Sequence, residues 1–510
     1  MPAEQAEVLA FLSRPETYGA DVSAVDRVET HISAVFLAGS RAYKLKKAVR
    51  LPFLDFSTLE ARRLACGNEV AVNRRLAPDL YRGVLPVTRE ADGRLAIGGA
   101  GQVVDWLVEM RRFDQATLFD RMAERDALTR EHMIDLADAI ARFHDAAPAC
   151  RQQGELAGMV WTIDNNLASM TPFVPAVFAQ GEVEGLAQRS RASLDRLAGR
   201  LEGRGRDGHV RHCHGDLHLR NVCLVDGRPT PFDAIEFNDA IACIDVFYDL
   251  AFLLMDLDHR GLRRLASIVL NRYVEVTGDD GALAALPLFL SCRAAIRAHV
   301  SAAMAASQDA AGHAACAEAA RRYLLRAQSY LEPPPPRLIA VGGLSGSGKS
   351  RLARELAPFV GAAPGALVLR SDVLRKRLAG VTPETRLEVD GYSAEMTERT
   401  YRALYDGAAA ALAAGRSVIA DAVFARVGER DAVAAVARRL GVPFTGFWLE
   451  APPDVMLDRV AKRRRDASDA TAAVVRRQLD YDVGPMSWRR IDSSGAKGES
   501  LRAARDAIEA

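Results

Sequence analysis

Eight residues in the second half of the chain have the types and the spacing that bind phosphate. They read Gly343-Leu-Ser-Gly-Ser-Gly-Lys-Ser350, after the apolar run 338–342 and before the helix-like run 351–356. A glycine-rich turn between a strand and a helix points backbone N–H groups at an anion. A chance glycine turn is the alternative. The pattern predicts a cradle for ATP in which Lys349 reaches the terminal phosphates and Ser350 ligates Mg²⁺. The remaining cradle residues are Gly343, Ser345, Gly346, Ser347 and Gly348.

A second stretch, His214-Gly-Asp-Leu-His-Leu-Arg-Asn221, has the residues of a phosphotransfer centre. Asp226-Gly227 predicts a hairpin turn, and counting outward places Asn221 opposite Phe232 and next to Asp233. Asn221 and Asp233 would then share Mg²⁺, while Asp216 accepts the proton of an incoming hydroxyl. Two alternatives stay open: a purely structural loop, and a zinc site formed by His212, Cys213, His214 and His218.

Three lysines between residues 44 and 47 lie in the second of two predicted strands, 32–37 and 42–47. Strand alternation places Lys44 and Lys46 on the same face. A capping-box pattern at Ser57 predicts a helix that carries Glu69. A strand lysine paired with a helical glutamate can hold an ammonium against nucleotide phosphates, and either lysine fits this role. The alternative is a solvated edge strand beside a surface helix.

After the phosphate cradle, predicted strands and helices alternate, which favours a parallel sheet covered by helices on both faces. Asp372 and Asp421 follow the ends of two of these strands, where ligands bind in such sheets. We predict that Asp372 is the base for a substrate hydroxyl and that Asp421 is an outer ligand of Mg²⁺. Helix capping is the competing interpretation of both.

A basic segment at the end of the predicted helix 453–464 can close over a transferring phosphate as a lid. Its arginines are Arg459, Arg463, Arg464 and Arg465, and Arg463 is the one assigned to catalysis. A solvated run of charge is the alternative.

The composition is that of an ordinary soluble globular protein. The 510 residues are 49% hydrophobic and have a formal net charge of +1, so no basic field favours nucleic acid or a membrane as the partner. No apolar segment predicts export or membrane insertion, and we expect a cytoplasmic protein. Seven cysteines without a C-x-x-C pair predict buried thiols and neither a disulfide framework nor a zinc ribbon. No oligomeric state is predicted.

Four consecutive prolines predict a short, semi-rigid spacer at residues 332–337. A chain of this length exceeds what one core can hold. We therefore expect a domain at 1–331 and a second domain at 338–510.

Both halves resemble known families. His214 to Asn221 with Phe232-Asp233 resembles the catalytic segments of aminoglycoside phosphotransferases and the wider protein-kinase-like fold. The resemblance implies a bilobal α+β domain with Asp216 as base, Asn221 and Asp233 as Mg²⁺ ligands, and Lys44 or Lys46 with Glu69 as the phosphate-positioning pair. The sequence departs from the kinase pattern because no G-x-G-x-x-G precedes the lysines.

The second half resembles small P-loop kinases of the group that includes polynucleotide kinase, zeta toxins and gluconate kinase. The matching segments are Gly343–Ser350, Ser371–Arg375, Asp421–Phe424 and Arg459–Arg465. Together the halves are similar to bacterial fusions of an aminoglycoside-phosphotransferase-like domain with a P-loop kinase-like domain.

These features favour an enzyme with two ATP-dependent phosphotransferase modules, each using Mg²⁺. Each would move a γ-phosphoryl group to a hydroxyl of a small-molecule or nucleotide-like acceptor. One alternative is a regulator that senses ATP and uses the kinase-like half as a binding module. Another is a polynucleotide 5′-hydroxyl kinase, for which the net charge gives no support.

Overall fold

The computed structural model describes residues 3–51, 54–150, 155–306, 308–462 and 467–509. The chain divides into two compact units. The first comprises Met1–Met159 and Gly199–Leu253, and the second comprises Val160–Ala198 and Leu254–Ala510. The proline-rich segment lies inside the second unit, and the domain boundary expected there stays a prediction.

An antiparallel sheet of six strands carries the lysines in the first unit. Its order is β1-β2-β3-β8-β6-β7. The lysine-bearing hairpin has the predicted turn, with each strand within one residue of its predicted bounds. The elements up to residue 111 are α1 Ala3–Leu12, β1 Val25–Glu29, β2 Ser33–Ala38, β3 Arg41–Lys46, β4 Arg50–Leu51, β5 Leu54–Asp55, α2 Leu59–Asn73, β6 Tyr81–Arg89, β7 Leu95–Ile97 and β8 Gln102–Arg111.

Helix α2 brings Glu69 to this sheet. The helix is capped by Thr58, whose hydroxyl accepts a hydrogen bond from Ala61 N at 3.1 Å. The capping box predicted at Ser57 was therefore wrong by one residue. Glu69 still lies on the face that packs against the sheet, and its side chain is fully buried.

Helices and two short strand pairs follow in the chain. They are α3 Phe119–Glu124, α4 Arg130–Ala146, α5 Glu155–Met170, α6 Gln180–Arg206, β9 Val210–His212, β10 Val222–Val225, β11 Arg228–Pro231, α7 Asp239–Ala242, β12 Cys243–Asp245, α8 Val246–His259, α9 Arg263–Thr277, α10 Leu286–Ala305 and α11 Ala310–Tyr330. Strands β10 and β11 form the predicted hairpin, with Val225 opposite Arg228. None of the helices in the described ranges is long and apolar enough to cross a bilayer.

A disulfide joins Cys150 and Cys243, whose Cα atoms are 5.9 Å apart. The sequence did not predict this pair, because 93 residues separate the two cysteines and only the fold brings them together. Four other cysteines are buried, as expected: Cys66, Cys213, Cys223 and Cys292.

The second unit contains a parallel sheet of five strands with helices, as predicted. The strand order is β14-β15-β13-β16-β17. The elements are β13 Leu338–Gly342, α12 Lys349–Leu356, β14 Leu367–Arg370, α13 Ser371–Leu378, α14 Ala394–Ala413, β15 Val418–Asp421, α15 Val427–Leu440, β16 Phe444–Glu450, α16 Pro453–Ala461, α17 Ala472–Leu479, β17 Arg489–Asp492 and α18 Lys497–Glu509. The predicted helix 453–464 ends earlier, at Ala461, and the sequence did not predict β17.

The central strands are buried on both faces. Their sequences are therefore continuous apolar runs, and these runs made the strands predictable. Ile339 and Val341 of β13 pack with Ile419 of β15 and with Leu352 and Leu356 of α12. In β17 only Ile491 is buried, so this edge strand has no apolar run to mark it.

Gly446 of β16 leaves room for the indole of Trp488. A Cβ at Gly446 would lie 2.4 Å from Trp488 Cγ, and a Cβ at Gly342, just before the cradle, would lie 3.0 Å from the same ring. We predict that Gly446→Ala lowers the free energy of unfolding by about 1–3 kcal/mol, because the overpacked ring must shift. Urea unfolding monitored by tryptophan fluorescence measures the change.

Gly428→Ala in α15 is the matched control, since a Cβ there meets no atom within 4 Å. That substitution should stabilise the helix by up to about 1 kcal/mol. Equal unfolding midpoints for Gly446→Ala and the unsubstituted protein would contradict the packing described here.

Candidate active sites

The first candidate site is built around a buried carboxylate that receives two lysines. Lys44 Nζ donates to Glu69 Oε1 at 2.8 Å and to Asp233 Oδ1 at 2.5 Å. Lys46 Nζ donates to Glu69 Oε2 at 2.6 Å and also to Glu236 Oε1. Glu69 therefore links strand β3 to the loop that follows β11 through two parallel lysine bridges.

Burial and charge act against each other in this cluster. Burial alone would raise the pKa of Glu69, but the ammonium groups of Lys44 and Lys46 lower it to about 2. Burial likewise opposes the charge of Lys44, yet the carboxylates of Asp233 and Glu69 raise its pKa well above the usual value. Burial raises the pKa of Glu236, and Lys46 opposes that shift. The opposite charges thus keep Glu69 and Lys44 ionised away from water.

The two lysines differ in their access to solvent. The side chain of Lys46 is 1% exposed and lies between Glu69 and Glu236. Lys44 contacts Asp233, whose side chain is 43% exposed. The geometry therefore distinguishes two lysines that the sequence left equivalent: Lys44 faces the accessible carboxylate and Lys46 is enclosed. Which of the two contacts phosphate stays a prediction.

The structure joins Asp216 to Asn221 by hydrogen bonds and Asn221 to Phe232, the residue before Asp233. Asn221 Nδ2 donates to Asp216 Oδ2 and to the Asp216 carbonyl, both at 3.0 Å. Phe232 N donates to the Asn221 carbonyl at 2.9 Å, which confirms the predicted register of the hairpin and places Asp233 one residue further on. A carboxylate beside two oxygen-bearing side chains fits the base and Mg²⁺ ligands that phosphotransfer requires, and these three roles stay predictions.

Two residues that the sequence did not reveal hold the Asp233 loop. Asp233 itself has a positive φ of 62°. Its N–H donates to the Tyr81 hydroxyl at 3.1 Å, and Ala234 N donates to Asn73 Oδ1 at 2.8 Å. Both partners come from segments more than 150 positions away, so no local pattern could have indicated them.

Asp249 stabilises the loop that carries Asp216. It is the one acidic residue in the apolar first turn of α8, Val246 to Asp249. Its carboxylate accepts the N–H groups of His214 at 3.1 Å and of Gly215 at 2.8 Å, and it contacts His144 Nε2 at 3.0 Å. The side chain of His214 contacts the Phe232 carbonyl at 2.9 Å.

The zinc alternative finds no support in this arrangement. Among the residues that the structure describes, the one group with metal-ligand spacing is His144, Cys213 and Asp249. His212, His214 and His218 do not join it. Since Asp249 already accepts two backbone N–H groups, its oxygens serve the loop.

The second candidate site is the glycine-rich loop between β13 and α12. Three glycines have positive φ, at 142° for Gly343, 88° for Gly346 and 91° for Gly348. A Cβ at Gly346 would lie 2.5 Å from the Met456 carbonyl, so a side chain would displace the loop. Lys349 is the first residue of α12 and is 7% exposed, and Ser350 follows it. This is the strand, loop and helix that the sequence predicted.

Three side chains hold the backbone of the loop. Gln478 Oε1 accepts the N–H of Ser345 at 2.7 Å, and Ser493 Oγ donates to the Ser347 carbonyl at 2.6 Å. Arg459 donates to the Gly346 carbonyl at 3.4 Å and to the Ser493 carbonyl at 2.6 Å. Gln478 and Ser493 were missed because they follow the motif by more than 120 residues. Arg459, predicted in the lid, here supports the loop.

Asp421 has the environment expected of a cation ligand beside the loop. It ends β15, pairs in register with Val341 of β13, and is 3% exposed. Its Oδ2 is 3.6 Å from Arg370 Nε, while no hydrogen-bond donor in the described chain reaches Oδ1. A buried carboxylate oxygen without a donor fits Mg²⁺, which prefers oxygen ligands.

The remaining two predicted residues have different outcomes. Asp372 is the second residue of α13, just beyond the end of β14, and is half-buried. Its role as a base stays a prediction. Arg463, with Arg464 and Arg465, lies outside the described residues.

We predict that Lys44→Ala removes nucleotide binding at the first site, because the amine lies beside the accessible Asp233. Lys46→Ala should instead lower the free energy of unfolding by about 3–5 kcal/mol, because the buried Glu236 loses its lysine and Glu69 loses one of its two. Titration with a fluorescent ATP analogue and urea unfolding measure the two effects.

Lys47→Ala is the matched control, since Lys47 pairs on the opposite strand face with Glu29 at 2.8 Å. It should change neither property by much. If Lys46→Ala abolished nucleotide binding while Lys44→Ala left it intact in a folded protein, the assignment of the two lysines would be reversed.

Comparison with known proteins gives a match for each half. Residues 40–286 match the phosphotransferase enzyme family, and residues 338–482 match an AAA domain. The uncharacterized protein Rv2004c of Mycobacterium tuberculosis is 32% identical over 492 residues, which cover 94% of each chain.

Two solved structures are similar to parts of the chain. A choline kinase from Cryptosporidium parvum is 10% identical, covers 65% of this chain and 96% of its own, and has a TM-score of 0.40. A sugar kinase from Janibacter is 20% identical, covers 34% of this chain and 95% of its own, and has a TM-score of 0.27.

Proposed function

The chain belongs to the family of the mycobacterial protein Rv2004c. In this chain a phosphotransferase-family region precedes an AAA domain, and we propose that both regions are ATP-dependent kinases. Each moves the γ-phosphoryl group of ATP to a hydroxyl of a small-molecule or nucleotide-like acceptor. The observation that carries the proposal is that the backbone bond from Phe232 N to the Asn221 carbonyl holds the Lys44–Asp233 pair beside the Asn221–Asp216 pair.

At the first site, Asp216 accepts the proton as the acceptor hydroxyl oxygen bonds to the γ-phosphorus. The bond between that phosphorus and the bridging oxygen breaks, and ADP leaves. Asn221 orients the Asp216 carboxylate through the hydrogen bond from its amide to Asp216 Oδ2. Lys44 holds the phosphates while Glu69 holds Lys44.

Asn221 and Asp233 would hold Mg²⁺ at this site, where the ion neutralises phosphate charge when bound. In the present arrangement Asp233 pairs with Lys44, so nucleotide binding must exchange this contact for contacts to phosphate and ion. Such an exchange needs a mobile partner. The exposed Asp233 side chain is suited to it, whereas the fully buried Glu69 remains in place.

At the second site, the glycine-loop N–H groups and Lys349 hold the phosphates. Ser350 and Asp421 would hold Mg²⁺, and Asp372 accepts the hydroxyl proton. Support comes from the buried Asp421 oxygen that lacks a donor within the described chain. Gln478, Ser493 and Arg459 keep the loop open by bonding its backbone from outside.

The two activities should be separable by single substitutions. We expect Asp216→Ala to reduce transfer at the first site by about 10²–10⁴-fold and Lys349→Ala to abolish transfer at the second. Each variant is incubated with γ-¹⁸O-labelled ATP, Mg²⁺ and a metabolite extract. Mass spectrometry then identifies the labelled phosphorylated products that the variant no longer makes.

Asp226→Ala is the matched control for Asp216, because Asp226 lies at the exposed hairpin tip and pairs with Arg111 at 2.8 Å. It should retain both sets of products. A protein that binds ATP but labels no metabolite or 5′-hydroxyl nucleic acid would overturn the proposal in favour of an ATP-sensing regulator. Labelling of 5′-hydroxyl RNA or DNA alone would assign a polynucleotide kinase instead.

A further inference from the structure

Helix α9 contacts the edge of the parallel sheet through a side-chain amide. Asn271 Oδ1 accepts the N–H of Val368 at 2.7 Å, and Asn271 Nδ2 donates to the Ala366 carbonyl at 3.2 Å. Val368 lies in β14, which is an edge strand. The amide therefore pairs backbone groups that an uncovered edge would leave to solvent or to another chain.

Further polar contacts fix both ends of the same helix. Near its start, Arg263 donates to the Gly361 carbonyl at 2.7 Å. Near its end, the Val274 carbonyl accepts from Arg377 of α13 at 2.8 Å. Arg272 pairs with Glu384 at 2.7 Å. Helix α9 is thus held in a defined position along β14.

This position brings a third charged group to the Arg370–Asp421 pair. Arg370 is the last residue of β14 and lies opposite Asp421 in the strand register. Its guanidinium is 3.8 Å from Glu275 Oε1 on α9 and 3.6 Å from Asp421 Oδ2. Arg370 is 6% exposed, so the charge of this cation acts on both carboxylates in a poorly solvated place.

We propose that Glu275 is a positioning residue for the metal site of the glycine-rich loop, acting through Arg370. Glu275 attracts one side of the guanidinium and keeps it from closing fully on Asp421. The Asp421 carboxylate then keeps an oxygen available for a divalent cation while its other oxygen is held in place. The inference rests on the proposed role of Asp421 as a Mg²⁺ ligand.

Removing the charge of Glu275 takes away one of the carboxylates that Arg370 now contacts. More of the Arg370 charge would then compete with the cation for Asp421, because a buried ion pair strengthens when another partner is removed. Helix α9 lies before the proline-rich segment and within the region that matches the phosphotransferase family. That region therefore contributes to the metal site of the AAA domain.

The test measures Mn²⁺ binding to full-length protein with a non-hydrolysable ATP analogue, by electron paramagnetic resonance of free Mn²⁺. An Asp233→Ala background removes the metal ligand of the first site, so that the second site reports. In that background we expect Glu275→Gln to weaken Mn²⁺ binding by about 3- to 10-fold. Combining it with Arg370→Gln should remove the effect, because the effect passes through the guanidinium.

Glu384→Gln is the matched control, since Glu384 pairs with Arg272 of the same helix. It should change Mn²⁺ affinity by less than about twofold, because Glu384 is 43% exposed and is linked to Glu275 through Arg272, which lies 3.9 Å from Glu275 Oε2. An unchanged affinity in Glu275→Gln, or an equal loss in Glu384→Gln, overturns the inference.

The Asp421→Asn variant distinguishes a failure of the inference about Glu275 from a failure of the proposed function. If Asp421→Asn loses Mn²⁺ binding while Glu275→Gln keeps it, only the role of Glu275 is wrong. If Asp421→Asn keeps full Mn²⁺ affinity, Asp421 is not a ligand, and both the metal assignment and the inference fall. Urea unfolding of each variant checks that the protein remains folded.

Discussion

A cation that meets a triphosphate must stay charged in a place from which water is partly excluded. At the first site this is the task of Glu69, whose two oxygens each accept a lysine. An unpaired buried ammonium would lose its proton or unfold its surroundings, and the carboxylate prevents both. Helix α2, strand β3 and the loop after β11 all meet at this carboxylate. The positions of Asp233 and the neighbouring hairpin follow from it.

The second proposed site relies on the backbone of a loop, whereas the first relies on lysines paired with a buried carboxylate. Three glycines at positive φ shape the loop, and α12 adds its N-terminus. Since such a loop has little stiffness of its own, side chains from later segments hold it from outside. In our proposal Asp421 meets the divalent cation, and the buried Arg370, which contacts Asp421 and Glu275, sets how available that carboxylate is.

Local sequence patterns were enough to predict much of the fold and to locate the motifs. Strands β13 and β16 have their predicted bounds because their apolar runs are continuous. The register that places Asp233 near Asn221 followed from a two-residue turn. The supporting residues were not predictable, because Tyr81, Asn73 and Gln478 meet their partners only across long stretches of chain. The enclosure of Lys46 by Glu236 also required the fold, since strand alternation treats Lys44 and Lys46 alike.

The number of nucleotide sites per chain tests the central claim most directly. Isothermal titration of the full-length protein with a non-hydrolysable ATP analogue and Mg²⁺ measures it. Two independent groups of phosphate-binding residues predict two equivalents of nucleotide per chain, decreasing to one when Lys349 is replaced by alanine. A stoichiometry of one in the unsubstituted protein, or no change on replacing Lys349, would contradict the account.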